Sequence, residues 1–203
     1  MKKWLLAVLM LLSGFANAAI VQGKDYTLMN PAQPVANPKR VEVIEFFSYT
    51  CIHCYHLDEG MTAWAERKPA DVDFKRVQII WQQPMEGLAR FFAAMNAMHL
   101  AARLNHPAFV AVMDQHVNLG DEATLANWLK SQKGVNVASF MQVYKSFAVN
   151  AEVARAAQMT RSYNIQGTPT IIVAGKYVLQ PAEPARLLEV LNEVVAKARK
   201  EIH

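Results

Sequence analysis

Residues 45–59 read EFFSYTCIHCYHLDE, and this stretch contains both cysteines of the chain, Cys51 and Cys54. A disulfide between them would close a gap of only two residues, so it would remove little entropy from the unfolded chain and would stabilise a fold only weakly. We therefore expect the pair to serve a chemical purpose, which for two neighbouring thiols is thiol–disulfide exchange.

The segments around the cysteine pair predict a β-α-β unit. Residues 41–47 are β-branched and aromatic, which predicts a strand, and residues 51–68 predict a helix that Pro69 ends. The alternating stretch 72–77 predicts a second strand. A C-x-x-C motif at the crossover helix of such a unit is typical of thioredoxin-like redox sites.

The helical period places the two cysteines in different environments. A single apolar stripe, spaced by three, four and three residues, contains Cys54, Leu57, Met61 and Trp64. Cys51 lies at the start of the helix, where unpaired backbone N–H groups stabilise an anion. We therefore predict that Cys54 is buried, and that Cys51 is the exposed thiol, with a lowered pKa.

Two features of the motif leave alternatives open. His53, between the cysteines, is expected to lower the pKa of Cys51 further as a donor or positive charge, but it is alternatively a solvated turn residue. The cysteine pair is alternatively half of a zinc site in a non-enzymatic module. Structural zinc takes four ligands, and His56 alone does not complete a set where no second cysteine pair exists. We expect no metal site.

The middle of the chain predicts helices. Residues 88–104, LARFFAAMNAMHLAARL, predict one helical stretch, and Pro107 predicts the start of a second. Further helices are predicted from Glu122 to a stop at Gly134, and from near Val137 and near Ala151. The methionines of this region have core-like spacings, so we interpret them as packing residues rather than copper ligands.

A hairpin and a last helix are predicted after this region. Strands are predicted at 170–173 and 176–179, joined by the two-residue turn Ala174-Gly175, and the last helix begins near Pro184. Pro169 stands at a strand entrance after a Gly-Thr turn, which makes it a candidate for a cis peptide bond. Trans is the default for any X-Pro bond, so the sequence leaves this open.

The first eighteen residues have the three parts of a secretory signal. Lys2 and Lys3 precede the apolar run WLLAVLMLL, and Ala16-Asn17-Ala18 offers small residues for cleavage after Ala18. Removal of both lysines lowers the net charge of the chain from +4 to +2. No basic run supports nucleic-acid binding or a polybasic membrane anchor. With 53% apolar and 19% charged residues, we expect a folded protein, and the signal segment predicts that it is soluble and exported.

From residue 26 to residue 197, the sequence resembles the DsbA family of periplasmic thiol oxidases. The resemblance rests on EFFSYTCIHCYHLDE, on the predicted helical insertion and on GTPTIIVAGKYVL, in that order. It implies a mixed α/β chain with a thioredoxin fold and an inserted helical domain. The expected boundaries are 1–18 for the signal peptide, 19–87 and 158–203 for the thioredoxin-like domain, and 88–157 for the insertion.

The resemblance also implies roles for individual residues. Cys51 is implied as the nucleophile, Cys54 as the resolving cysteine, and His53 as the residue that stabilises the thiolate. Pro169 is implied to be cis and to face the disulfide. Beside it, the backbone would hold an extended substrate segment by strand-like hydrogen bonds, and Thr168 would lie in that groove.

Two residues depart from the family pattern at this groove. Ile52 stands where the best-known members have proline, and Thr168 where several have valine; we expect both to affect the redox potential and substrate choice. Because a Thr-Pro pair also occurs in disulfide isomerases, a reductase or isomerase of the same fold is the alternative function. Those isomerases need an N-terminal dimerisation domain, and only 22 residues lie between the predicted cleavage site and the strand at 41–47. We therefore expect a monomeric oxidase.

Glu45 matches a family position that holds a buried carboxylate beneath the active-site helix. On period-two counting, it shares a face of the strand with Val43 and Phe47, so its burial is expected. In that position it would carry a proton to or from Cys54. The alternative is a solvated strand acid.

The activity implied by the resemblance is the oxidation of dithiols, which introduces disulfide bonds into newly exported proteins. The redox-active cysteine pair would need no other cofactor. Reduced, unfolded exported proteins are the implied substrates, and a DsbB-type quinone oxidoreductase of the inner membrane is the implied partner that reoxidises the pair.

Overall fold

The computed structural model describes residues 20–202 of the chain. The predicted signal peptide and its cleavage site at Ala18 lie outside the described residues. Within residues 20–202, no helix combines the length and the apolar character needed to cross a membrane.

Five strands form one mixed sheet with the order β1-β5-β4-β2-β3. Their bounds are β1 Tyr26–Leu28, β2 Val41–Phe47, β3 Val72–Gln78, β4 Thr170–Val173 and β5 Tyr177–Leu179. Strands β2 and β3 are parallel and are joined by helix α1, Ile52–Arg67, which confirms the predicted β-α-β unit. The other strand pairs are antiparallel.

The hairpin of β4 and β5 confirms the predicted turn. Ala174 and Gly175 both have positive φ, 50° and 66°, and the Lys176 N–H donates to the Val173 carbonyl at 3.1 Å. This is the turn whose twist matches that of paired strands. A side chain at Gly175 would also place a Cβ 2.1 Å from the Gln33 carbonyl oxygen, so only glycine fits here.

Six further helices follow α1 in the described part of the chain. They are α2 Glu86–Ala97, α3 Ala101–Met113, α4 Glu122–Lys130, α5 Val137–Tyr144, α6 Phe147–Ser162 and α7 Pro184–Ile202. Helices α1 and α7 cover one face of the sheet, where Leu57 and Leu191 pack with Val43 of β2. Helix α6 continues across the predicted domain boundary at residue 157.

The inserted helices have their own core, and the cysteine motif touches it. Phe91, Leu104 and Phe109 belong to this cluster, and so do Tyr49 and Cys54 from the segment that begins α1. The C-x-x-C motif therefore lies at the junction of the sheet and the helical insertion, in contact with both.

The prediction of one helical stretch over 88–104 is wrong. Helix α2 ends before His99, which adopts a left-handed conformation with φ 56°. The Leu100 N–H donates to the Met95 carbonyl at 2.9 Å, and the His99 N–H donates to the Asn96 carbonyl at 3.0 Å. This pair of hydrogen bonds is a Schellman motif, which most often uses glycine at the left-handed position. Because histidine stands where glycine is usual, the sequence does not indicate this helix end.

Two helix starts differ from the prediction for local reasons. Pro107 does not begin a helix but lies inside α3. A proline inside a helix removes one backbone hydrogen bond, and the helix continues on both sides of it here. Helix α6 begins at Phe147 rather than near Ala151, since the Ser146 hydroxyl accepts a hydrogen bond from the Val149 N–H and caps the helix.

Candidate active site

Helix α1 begins directly at the cysteine motif. Cys51 is its N-cap residue, with extended backbone angles of φ −104° and ψ 117°, and its N–H donates to the Ser48 carbonyl at 3.1 Å. Cys51 is partly exposed, whereas Cys54 is only 1% exposed. The predicted difference between the two cysteines is confirmed. Both are free thiols in this structure.

The surroundings of Cys51 lower its pKa to about 5. The largest cause is a hydrogen bond with the Cys54 thiol, and burial acts in the opposite direction. The Thr168 side chain and the backbone at Cys54 and His53 add further hydrogen bonds that favour the anion. As a neutral thiol, Cys51 instead donates to the Thr168 carbonyl, with Sγ and O 3.1 Å apart.

The same hydrogen bond has the opposite effect on Cys54. Its pKa is raised far above the ordinary value, first because its thiol is held as a donor to Cys51 and second because it is buried. At neutral pH, the site therefore holds one thiolate at the helix start and one thiol beneath it. The attacking cysteine needs to be a thiolate, and the resolving cysteine needs to stay a protonated thiol until the mixed disulfide forms.

The segment before β4 lies against the Cys51 sulfur. The Thr168–Pro169 peptide bond is cis, which agrees with the arrangement that the family resemblance implies. Two apolar side chains are exposed here: Ile52, directly after Cys51, is 43% exposed, and Trp81 is 51% exposed. The Trp81 indole N–H donates to the Ile165 carbonyl at 2.7 Å, three residues before Thr168. Sequence reasoning missed Trp81, whose exposure follows from no local pattern.

The His53 side chain is exposed. Among the hydrogen bonds of residues 20–202, none joins its imidazole to the Cys51 sulfur, whose partner is the Thr168 carbonyl. The contribution of His53 to the lowered pKa of Cys51 comes from its backbone. The predicted role of the imidazole stays a prediction.

Glu45 lies in the middle of the sheet and is 2% exposed. Its Oε2 accepts a hydrogen bond from Arg76 Nε at 2.6 Å. Burial raises the pKa of Glu45, and the Arg76 charge acts against this. Among the described residues, no hydrogen bond joins Glu45 to either cysteine, so its role as a proton carrier stays a prediction.

A buried charged cluster surrounds Arg76, and the sequence analysis did not identify it. Arg76 Nη1 lies 3.0 Å from Asp58 Oδ1, and Asp58 is 1% exposed. Asp58 also accepts a hydrogen bond from Asn105 Nδ2 at 2.6 Å and lies 3.2 Å from His106 Nδ1. One signal was available: Asp58 falls on the apolar stripe of α1, four residues after Cys54, where an acid requires a partner.

The lowered pKa of Cys51 predicts a pH dependence of stability that is specific to the reduced form. An unfolded cysteine has a pKa of about 8.5, so between about pH 5 and 8.5 the unfolded chain binds more protons than the folded one. The free energy of unfolding should therefore rise with pH across this window, and the gain is lost as the pH falls through about 5. We expect the free energy of unfolding to rise by about 2.5 kcal/mol across the window. This is roughly half of the full effect, because water screens the partly exposed Cys51.

Urea unfolding of the reduced and oxidised protein from pH 4.5 to 9 measures this dependence. The oxidised protein has no thiolate and serves as the control. A difference between the two forms that stays constant over this range would contradict the lowered pKa.

Comparison with known families also indicates thiol–disulfide chemistry for this chain. The family model described as a DSBA-like thioredoxin domain matches residues 76–192. A thiol:disulfide interchange protein DsbA from Burkholderia cepacia is 36% identical over 90% of this chain and 89% of its own length. The protein of the same name from Pseudomonas syringae pv. tomato is 32% identical over 93% of this chain and 89% of its own length.

Solved structures show the same architecture. Reduced DsbA1 from Neisseria meningitidis superposes with a TM-score of 0.83 at 30% identity and covers 91% of this chain and 98% of its own. DsbA from Pseudomonas aeruginosa gives a TM-score of 0.83 at 28% identity, with 90% and 96% covered. The predicted fold class, a mixed sheet of the thioredoxin type with a helical insertion, is confirmed.

Proposed function

This chain belongs to the DsbA family of thiol:disulfide oxidoreductases, and from that premise we propose that it is a dithiol oxidase, which introduces disulfide bonds into newly exported proteins. The observation that carries the proposal is the division of charge between the two cysteines. The pKa of Cys51 is lowered to about 5, and that of Cys54 is raised.

This division favours the reduced protein and so makes its disulfide an oxidant. At pH 7 the Cys51 thiolate stabilises the reduced form by about 1.4 kcal/mol. This is half of the full value, because Cys51 is partly exposed and water screens its charge. For a two-electron couple this corresponds to about 30 mV. The shift acts in the direction of an oxidase, because it favours transfer of electrons from substrate thiols to the cysteine pair.

The proposed reaction proceeds through a mixed disulfide. A substrate thiolate attacks the Cys51 sulfur of the oxidised protein, the bond between the two cysteines breaks, and Cys54 leaves and takes up a proton. A second substrate thiolate then attacks the substrate sulfur of the mixed disulfide and releases Cys51 as a thiolate. The substrate loses two electrons and gains a disulfide, and the cysteine pair is reduced. Glu45 is proposed to exchange the proton with Cys54, supported by its burial beneath the helix.

Substrates are proposed to bind as extended segments beside Thr168 and Pro169. The Thr168 carbonyl already lies 3.1 Å from the Cys51 sulfur, so a strand placed along this backbone would bring its own cysteine to the reacting atom. Ile52 and Trp81 offer exposed apolar surface for the neighbouring substrate residues. Backbone hydrogen bonds with few side-chain contacts suit unfolded proteins of many sequences.

The cellular setting is proposed from the sequence and the family. A cleaved signal peptide would deliver the protein to the periplasm, where disulfides persist. With only two cysteines in the chain, the electrons taken from a substrate must pass to an external acceptor before the next cycle. We assign this step to a DsbB-type quinone oxidoreductase, and we propose that the protein acts as a monomer.

A redox titration of the cysteine pair against glutathione tests the oxidase direction. We expect a potential above that of thioredoxin, which is about −270 mV. A value near that of thioredoxin would favour the alternative reductase. Metal analysis of the same reduced protein tests the non-enzymatic alternative, because stoichiometric zinc or copper at the cysteines would contradict the oxidase.

A further inference from the structure

Gln78 is a buried polar residue that the reaction described above does not use. It is the last residue of β3 and pairs in register with Phe47, the last residue of β2. Only 1% of its surface is exposed. A buried amide is costly unless its donors and acceptor are hydrogen-bonded, so its partners indicate what it is placed to hold.

The Gln78 amide binds the segment that leads into the cysteine motif. Its Oε1 accepts a hydrogen bond from the Tyr49 N–H at 3.1 Å. Its Nε2 donates to the Ser48 hydroxyl at 3.4 Å and to the Ile79 carbonyl at 3.2 Å. Two of these three contacts are therefore made to the redox loop, which we define as residues 48–50.

The redox loop in turn contacts both cysteines. The Ser48 carbonyl accepts the Cys51 N–H at 3.1 Å, and the Ser48 backbone acts to lower the pKa of Cys54, against the effects of Cys51 and of burial. Inside the loop, the Ser48 hydroxyl lies 2.8 Å from the Thr50 hydroxyl and accepts the Thr50 N–H at 3.3 Å. A shift of Ser48 would therefore move the backbone that meets the two sulfurs.

We propose that Gln78 is a positioning residue of the redox site: its amide fixes the redox loop, and the loop sets the backbone geometry at Cys51 and Cys54. In the described structure, Gln78 hydrogen-bonds neither sulfur and acts only through Ser48 and Tyr49. Its effect should therefore appear in the ionisation of Cys51 and in the redox equilibrium, not only in stability.

The Gln78→Leu variant tests this proposal because leucine fills a similar volume without an acceptor for the Tyr49 N–H. We expect the pKa of Cys51 to rise by about one unit, the equivalent of one hydrogen bond to the thiolate. The equilibrium constant with glutathione should shift about tenfold toward the oxidised protein, or about 30 mV. Absorbance of the thiolate at 240 nm and the glutathione titration measure both quantities.

Thr160→Val provides a matched control. The Thr160 hydroxyl accepts the buried Ile80 N–H at 3.2 Å, two residues beyond Gln78 on the same chain segment. This variant also leaves a buried N–H without its acceptor, but Thr160 does not contact the redox loop. We expect it to lose stability while the pKa of Cys51 and the redox equilibrium stay unchanged.

A second variant keeps the test decisive if Gln78→Leu does not fold. Gln78→Asn retains the amide on a shorter side chain, which does not reach both Ser48 and Tyr49, and we expect the same direction of change. The proposal is overturned if the folded Gln78 variants lose stability like Thr160→Val but keep the pKa of Cys51 and the glutathione equilibrium of the unchanged protein. This outcome would leave the oxidase proposal intact, since that proposal is tested on the unchanged protein.

Discussion

The Cys51→Ser variant is expected to lose thiol oxidation completely and to form no mixed disulfide with a reduced or oxidised substrate. The reason is that Cys54 is 1% exposed and its pKa is raised, so it is neither reachable nor ionised at neutral pH. A serine hydroxyl does not replace the thiolate as a nucleophile toward sulfur. Oxidation of a reduced model peptide, followed by its absorbance or mass, measures the loss.

The Cys54→Ser variant is the matched comparison, because it keeps the nucleophile and removes only the resolving thiol. Its Cys51 should attack substrate disulfides and remain bound to them, so mixed disulfides should accumulate on non-reducing gels. Trapping by the Cys51→Ser variant instead of the Cys54→Ser variant would show that the two roles are assigned in reverse.

Arg76→Met is expected to destabilise the protein by about 3–5 kcal/mol, the effect of removing one partner from a buried ion pair. Arg76 lies between two carboxylates that are almost fully buried, Glu45 at 2% and Asp58 at 1% exposure. Without the guanidinium, both carboxylates would lose their buried cationic partner. The cost should decrease toward acidic pH, because burial raises the pKa of Glu45 and favours its neutral form.

Urea unfolding at pH 7 and pH 5 measures the effect of Arg76→Met. Arg40→Met serves as the control, because Arg40 pairs with Asp73 at the surface, with side chains 35% and 50% exposed. Such an exposed pair contributes little to stability, because water screens both charges. If both substitutions cost the same, the cluster around Arg76 does not have the energetic importance that its burial indicates.

The sequence was sufficient for the part of the fold that contains the cysteines, because its signals are local. The β-branched run of β2, the stop at Pro69 and the spacing of Cys54, Leu57 and Met61 each reflect one element and its immediate neighbours. The hairpin turn was equally local, since Ala174 and Gly175 supply its backbone conformation. The difference in exposure between the two cysteines followed from the same helical spacing.

The missed elements lack such local signals. At the break between α2 and α3, His99 adopts a left-handed conformation, and the sequence has no glycine at that position to indicate the helix end. Strand β1 has three residues, too few for an alternating pattern, and it is held by pairing with β5, which lies about 150 residues later. Tertiary contacts decide both features.

The site was predicted at its sulfurs but not at its supporting charges. The position of Cys51 at a helix start predicts a lowered pKa. The largest cause of that lowering is the hydrogen bond with the Cys54 thiol, which depends on side-chain geometry and is not visible in the sequence. The structure pairs Glu45 with Arg76 on the adjacent strand, a partner that the pattern of neither strand predicts. Residues on different elements reveal such partners only in three dimensions.

The most direct test of this account is the ionisation of Cys51 in the reduced protein, followed by thiolate absorbance at 240 nm from pH 3 to 10. Cys54→Ala should be titrated in parallel, because it removes the thiol that hydrogen-bonds Cys51 and leaves no donor in its place, so it should raise the pKa of Cys51. We expect a midpoint near pH 5 for the unchanged protein. A midpoint near 8.5, the value of a cysteine in water, would show that the site does not stabilise the Cys51 thiolate.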